Sequence, residues 1–155
     1  MNPWPAGNVH RWHNNPNHAL RNSNDTTWAH SARVAALLYH LMPGVGRHLI
    51  LCALFHDAPE VETGDTPGPA KNGPLRDALD RLEHDYMTRN DLPMPQDERE
   101  RMSLKMVDKL DAYLWARSVY ASIVEADEWQ KQLDSIVGMA YELGCVEKVM
   151  EVLGE

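Results

Sequence analysis

Residues 49–55 read Leu-Ile-Leu-Cys-Ala-Leu-Phe, apolar on every side of a helix, and His56-Asp57 follows without a gap. A helix that is apolar all round needs neighbours on every face, which places it at the centre of a bundle. The run is far shorter than the roughly 18 residues a membrane span requires, and no other apolar run in the chain approaches that length. The expectation is a central helix over about 47–57, stopped at Pro59. Its neighbours can be read from apolar spacing. His30, Val34, Leu37, Leu38 and Leu41 fall at offsets 0, 4, 7, 8 and 11, one stripe of a helix capped by Asp25 or Thr26 and ended by Pro43-Gly44. A third helix is expected over about 75–89 with Leu75, Leu79, Leu82 and Tyr86 inward. A fourth is expected over about 96–125 with Leu104, Val107, Leu110 and Leu114 as its stripe. Helices over about 128–143 and 145–153, joined at Gly144, close the chain.

No strand pattern, internal repeat or low-complexity tract appears. Residues 1–25, rich in Asn, Pro and His, read as an irregular N-terminal arm, and 62–74, with two Gly-Pro pairs, as a long loop of the functional kind. The fold class is therefore all-α: one bundle of five to six helices spanning 1–155. The 43% hydrophobic content suffices for one core, and it is mostly Leu, Ala, Val and Met, with a single Phe.

Charge narrows the partners. With 15 basic against 23 acidic residues the formal net charge is −8, which disfavours duplex nucleic acid. A small phosphorylated ligand remains compatible, given local cations and a metal. Residues 1–13 lack the layout of a secretory signal, and Cys52 and Cys145 form no ligand motif. The expected setting is cytoplasmic, the host cytoplasm if the chain is phage-encoded, with no membrane partner.

The chemistry lies where polar residues interrupt apolar patterns. His30 stands on the buried stripe of its helix, His56-Asp57 closes the most apolar one, and Asp108 directly follows Val107. A lone histidine on an apolar face is usually a satisfied core residue, and a lone aspartate in a helix is usually solvated. Four such groups from three helices are harder to satisfy separately, because an unpaired buried carboxylate is expensive. A divalent ion held by His30, His56, Asp57 and Asp108 satisfies all four, and this mixed donor set suits Mn, Fe, Co or Zn alike.

The order His30, His56-Asp57, Asp108 resembles the HD-domain metal-dependent phosphohydrolase superfamily. The string His-Asp-Ala-Pro-Glu-Val-Glu-Thr-Gly-Asp-Thr-Pro at 56–67 resembles the motif of bacterial 5′-deoxynucleotidases and, equally, of compact phage dATP triphosphohydrolases. Arg11-Trp12 and Val-Asp-Lys-Leu-Asp-Ala-Tyr-Leu at 107–114 resemble the same groups. The similarity runs from about residue 11 to 117, and the helices within 126–155 carry none of it. Asn14 departs from the pattern, standing where an apolar residue would lie beside the base, which leaves base preference open.

The resemblance implies roles. Glu60 would be a general acid/base acting on water or on the departing 5′-oxygen. Asp65 would meet the sugar 3′-hydroxyl or a second metal. Arg11 would offer a planar fork to phosphate, and Trp12 would cover the sugar and crowd out a 2′-hydroxyl. Lys71 and Lys105 are candidates for neutralising phosphate, Lys105 because it lies three residues before Asp108 on the same helix face. The bland alternatives are a surface carboxylate for Glu60, an Asx turn for Asp65, a core-edge aromatic for Trp12 and solvated surface for the lysines.

The expected activity is hydrolysis of the 5′-phosphate ester of a deoxynucleotide. A dATP or other dNTP triphosphohydrolase comes first, with Mg accompanying the triphosphate, and a 5′-deoxynucleotidase second. A dinuclear HD enzyme is disfavoured, because only His84 lies between Asp57 and Asp108. The alternative of another class is a non-catalytic helical module with a structural metal. The resemblance also implies a homo-oligomer.

Overall fold

The computed structural model describes residues 4–66 and 71–154. Pro67, the last residue of the 56–67 motif, and residues 68–70 of the expected loop lie outside the described residues.

The chain is all-helical, and among the described residues it contains no strand, only an isolated bridge between His10 and Thr26. A single-turn helix α1 (His18–Arg21) precedes α2 (Thr27–Leu41) and α3 (Arg47–Phe55). A second single turn, α4 (Glu60–Thr63), is followed by α5 (Gly73–Arg89), α6 (Glu98–Val119), α7 (Asp127–Leu143) and α8 (Val146–Leu153). The single-turn helices α1 and α4 are additions to the five to six expected. The first arises because the Asn17 side chain accepts from the backbone N–H groups of Ala19 and Leu20, making a helix start inside the expected irregular arm. No helix is long and apolar enough to cross a membrane.

Helix α2 is the hub, packing on both α3 and α6, while α6 carries α7 on its other side. Thr26 caps α2, its hydroxyl oxygen accepting from the N–H of Ala29 at 3.3 Å. The stripe read from spacing is buried at His30, Val34, Leu38 and Leu41. It meets Cys52 and Ala53 of α3 and Met106, Val107 and Leu110 of α6. Helix α7 ends at Gly144, whose φ of 76° is the left-handed cap that glycine tolerates without strain.

Three expectations shift. In α3 only Leu49, Cys52 and Ala53 are buried, whereas Ile50, Leu51, Leu54 and Phe55 stay half-buried, so the helix is central on one side only. In α5, Leu79 and Tyr86 turn inward but Leu75 and Leu82 are about half exposed, at 49% and 54%. That helix is covered mainly through a small satellite cluster that includes Ala6, Ala58, Tyr86 and Met87, too narrow to take up four positions. The long fourth helix stops at Val119, where Tyr120 becomes extended, and a 3-10 helix covers Ala121–Glu125.

The arm is docked rather than loose. A 3-10 helix over Trp4–Asn8 lays Gly7 against the indole of Trp28, so closely that a Cβ there would fall 1.2 Å from a ring carbon. Trp28 in turn meets Phe55 edge to face at 6.0 Å between ring centroids. The arm therefore reaches the end of α3, where His56 and Asp57 stand.

Candidate metal centre

His30 comes from the first half of α2, His56 and Asp57 from the turns that end α3, and Asp108 from the middle of α6. Their side chains meet. His30 Nε2 lies 3.2 Å from His56 Nε2, 3.3 Å from Asp57 Oδ2 and 3.1 Å from Asp108 Oδ1. His56 Nε2 is 3.4 Å from Asp57 Oδ1 and 3.8 Å from Asp108 Oδ1. One donor atom each from His30, His56 and Asp57 falls within 4.8 Å of the others, so these three form a group able to hold a metal ion, with Asp108 beside it.

The ring orientations suit that use. His30 Nδ1 is 2.7 Å from Asp111 Oδ2, and His56 Nδ1 is 2.8 Å from the Ala53 carbonyl. Both partners accept only, given an ionised Asp111, so each ring carries its proton on Nδ1 and turns an Nε2 lone pair inward. With both histidines neutral, the inner cluster holds two carboxylates and no positive charge. No Lys or Arg ion-pairs with Asp57 or Asp108 among the described residues. Absent a cation, the carboxylates draw protons onto the imidazoles. Burial opposes charge on His30, but hydrogen bonds from Asp108, Asp111 and Asp57 push its pKa up to about 11. Burial likewise opposes charge on His56, while Asp57 and Asp108 raise it. Both aspartates are driven below the usual carboxylate range against their desolvation. Two oxygen and two nitrogen donors, whose negative charge is answered only by protons on the imidazoles when no cation is present, are a donor set that could hold a metal ion.

Glu60 begins α4 and is 7% exposed. Burial, then repulsion from Asp57 and Asp65, push its pKa up to about 9, so the carboxyl is protonated at neutral pH. Its one described hydrogen-bond partner fits that state. The Thr27 hydroxyl lies 3.3 Å from Glu60 Oε2 and 3.2 Å from the Val9 carbonyl oxygen. Thr27 has one proton, and the carbonyl can only accept, so a protonated Glu60 donating to Thr27 satisfies both contacts.

The remaining expected residues divide. Arg11, at 9% exposure, places Nη1 3.0 Å from Asp25 and 3.8 Å from Asp111. Burial works against its charge, and Asp57, Asp108, Asp25 and Asp111 more than restore it, so the guanidinium stands in the field of the cluster. Trp12 adopts φ 68°, unusual for a bulky residue, and is held there from two sides. Its backbone N–H donates to Asp65 Oδ2, and its indole N–H donates to Asp25 Oδ2 at 3.3 Å. Its ring packs at 6.2 Å from that of Trp129. Lys71 ion-pairs with Glu83 at 3.6 Å, at the edge of a cleft of about 310 Å³ that His56, Pro59, Glu83, His84 and Leu104 help to line. Lys105 is exposed on α6 with no described contact to the cluster.

Sequence reasoning missed Asp25, Arg33 and Asp111. Asp25 is fully buried rather than capping α2, and Asp111 is 2% exposed. The signal available was spacing, since Arg33 and Asp111 each stand three residues after a proposed ligand and so share its helix face. Compared with known protein families, with curated proteins and with solved structures, the chain finds no match in any of the three.

Proposed function

We propose that the chain is a metal-dependent phosphohydrolase of HD type that cleaves the 5′-phosphate ester of a deoxynucleotide. The observation that carries this reading is the convergence of His30, His56, Asp57 and Asp108, both imidazoles turning Nε2 inward, beside the buried carboxyl of Glu60. A bound divalent metal would supply Lewis acidity toward phosphate oxygen and an activated water. The protein does the rest. Glu60, three residues after Asp57, holds a proton for the 5′-oxygen. As water oxygen bonds to phosphorus and the P–O5′ bond breaks, that proton passes to O5′, the deoxynucleoside leaves uncharged, and the proton released by the water restores the Glu60 acid. Lys71, beside the cleft-lining Glu83, supplies positive charge toward phosphate, and Arg11 adds the field of its guanidinium from behind the cluster. Asp65 and Trp12 meet the sugar, Asp65 anchoring a 3′-hydroxyl and the Trp12 ring opposing a 2′-hydroxyl.

Attack at the 5′-linked phosphorus yields triphosphate from a dNTP, dATP being the first candidate, and phosphate from a deoxynucleoside monophosphate. Lys71 and Lys105 favour the triphosphate. The Lys71–Glu83 ion pair favours the monophosphate, because part of that positive charge is already answered. The deciding experiment is a turnover screen of deoxy- and ribonucleoside mono- and triphosphates with Mn, Co, Mg and Zn. Hydrolysis of a deoxynucleotide in preference to its ribose counterpart is expected. Tight metal binding with no turnover on any nucleotide would instead leave a helical module with a structural metal.

A further inference from the structure

On the Nδ1 side of His30, four charged groups, Asp111, Arg33, Asp25 and Arg11, form a linked chain. His30 Nδ1 contacts Asp111 Oδ2 at 2.7 Å. Arg33 grips the same carboxylate with both arms, Nε to Oδ1 at 2.7 Å and Nη2 to Oδ2 at 3.0 Å. The Arg33 Nη2 also reaches Asp25 Oδ1 and Oδ2 at 3.0 and 3.1 Å. Asp25 then holds Arg11 at 3.0 Å and the Trp12 indole N–H at 3.3 Å. The guanidinium of Arg33 is stacked on the ring of Trp115 at 4.6 Å, which fixes its plane. Both carboxylates are nearly or fully buried, at 2% and 0% exposure.

We propose that Asp111, clamped by Arg33, is the positioning residue that fixes the Nε2-inward orientation of His30, and that Asp25, through Arg33, couples the Arg11–Trp12 arm to the metal centre. The residues need not touch metal or substrate to do this. A planar fork bound to two carboxylates leaves Asp111 one orientation, and Asp111 in that orientation leaves the imidazole one tautomer and one ring angle. A change at Asp25 loosens Arg33 and, through it, Asp111 and His30. Asp25 neighbours none of the four ligands in sequence and has no described contact with any of them, so an effect on metal affinity travels through the two guanidinium groups it holds: Arg33, which clamps Asp111, and Arg11, whose Nη1 lies 3.8 Å from Asp111.

This inference rests on the metal-binding reading above, and the test separates the two. Mn and Co affinities of the metal-stripped protein are measured by competition with a chelating dye, alongside the visible spectrum of the Co-loaded protein. If the unaltered chain binds neither ion, the metal centre itself is wrong. If it binds, Asp111→Asn is expected to weaken binding about 10- to 100-fold, the usual cost of losing such an outer partner, and to shift the Co spectrum. Asp25→Asn is expected to weaken it by a smaller factor, and Asp25→Asn with Asp111→Asn by less than the product of the two. Arg33→Lys, which keeps the charge and loses the fork, is expected to resemble Asp111→Asn. Should the asparagine variants fail to fold, Asp111→Glu and Arg33→Lys carry the same comparison. Unchanged affinity and spectrum in folded Asp111 and Arg33 variants would overturn the positioning role, and independent, multiplicative effects of Asp25 and Asp111 would overturn the coupling.

Discussion

The two nitrogens of His30 face opposite electrostatic worlds. On the Nδ1 side, Asp25 and Asp111 are met by Arg11 and Arg33, two negative charges against two positive, all fastened by hydrogen bonds of 2.7 to 3.3 Å. On the Nε2 side, Asp57 and Asp108 meet only imidazoles, and the pair is more open, at 21% and 40% side-chain exposure. The first set is complete and closed. The second is short of two positive charges and reachable from solvent. The same residue types thus serve structure on one side and leave a cation's place on the other, and the difference is where the arginines are.

Breaking the open side should have the largest effect on function. Asp57→Ala removes a ligand without removing any arginine partner. Metal content by elemental analysis is expected to fall below stoichiometric and turnover to background, while the metal-free protein stays folded. Full metal occupancy with normal turnover would show that the cluster has another purpose.

The next largest effect concerns Glu60, which belongs to neither set. Glu60→Gln keeps the shape and loses the transferable proton. A fall in kcat by a factor of about 10² to 10⁴ is expected with metal affinity retained, a typical contribution for a positioned acid or base. A variant keeping more than about a tenth of the kcat of the unaltered chain would remove Glu60 from the mechanism.

A third test sets the two sides against each other in stability. Asp25→Ala takes the close partner from the buried Arg11 guanidinium and one of two carboxylates from Arg33, and breaking a buried pair costs about 3–5 kcal/mol. Asp108→Ala, tested without metal, removes a carboxylate that the protonated imidazoles hold, but at 40% side-chain exposure, so a clearly smaller loss is expected. Urea denaturation of both variants in chelator measures the contrast. A comparable loss in the two would mean that Asp108 is also structural.

The smallest effect is a slope. In the folded protein Glu60 keeps its proton up to about pH 9, whereas the unfolded chain releases it near 4.5. Between those values the folded state binds the extra proton, so this group's contribution to stability falls as pH rises. One proton limits the slope to about 1.4 kcal/mol per pH unit. Glu60→Gln should therefore gain stability relative to the unaltered chain between pH 6 and 8.5 in chelator. An unchanging difference would show that Glu60 is ionised in the fold.

The open side was legible in the sequence and the closed side was not. His30, His56, Asp57 and Asp108 announce themselves because each interrupts or ends an apolar stripe, and a stripe can be read from spacing alone. Asp25, Arg33 and Asp111 sit where charged residues are ordinary, before a helix or one turn along it. Asp111 is buried by pairing between α6 and α2, 78 and 81 residues apart in the chain, and Asp25 by the docked arm and Arg33, which no stripe of apolar residues encodes. Helix α5 fails for a related reason. Leu75 and Leu82 have the right period, but the small cluster that covers this helix offers no surface for them. Helix ends fared better where glycine or proline marks them, as at Pro43-Gly44 and Gly144, than at Tyr120, which carries no such mark.

The contact between Asp65 and the backbone of Trp12 ties two segments 53 residues apart, the arm before the bundle and the loop after α4. It divides the labour of one carboxylate. Oδ2 closes a latch that holds Trp12 in its left-handed turn, and the carboxylate keeps further acceptor capacity. On the proposed reading, a sugar hydroxyl arriving at Asp65 would meet an anchor whose position is already settled by the protein. The side chain pays no rotational entropy on binding beyond what folding has fixed. Replacing Asp65 would release the Trp12 backbone from this latch while leaving the indole held by Asp25 and packed against Trp129.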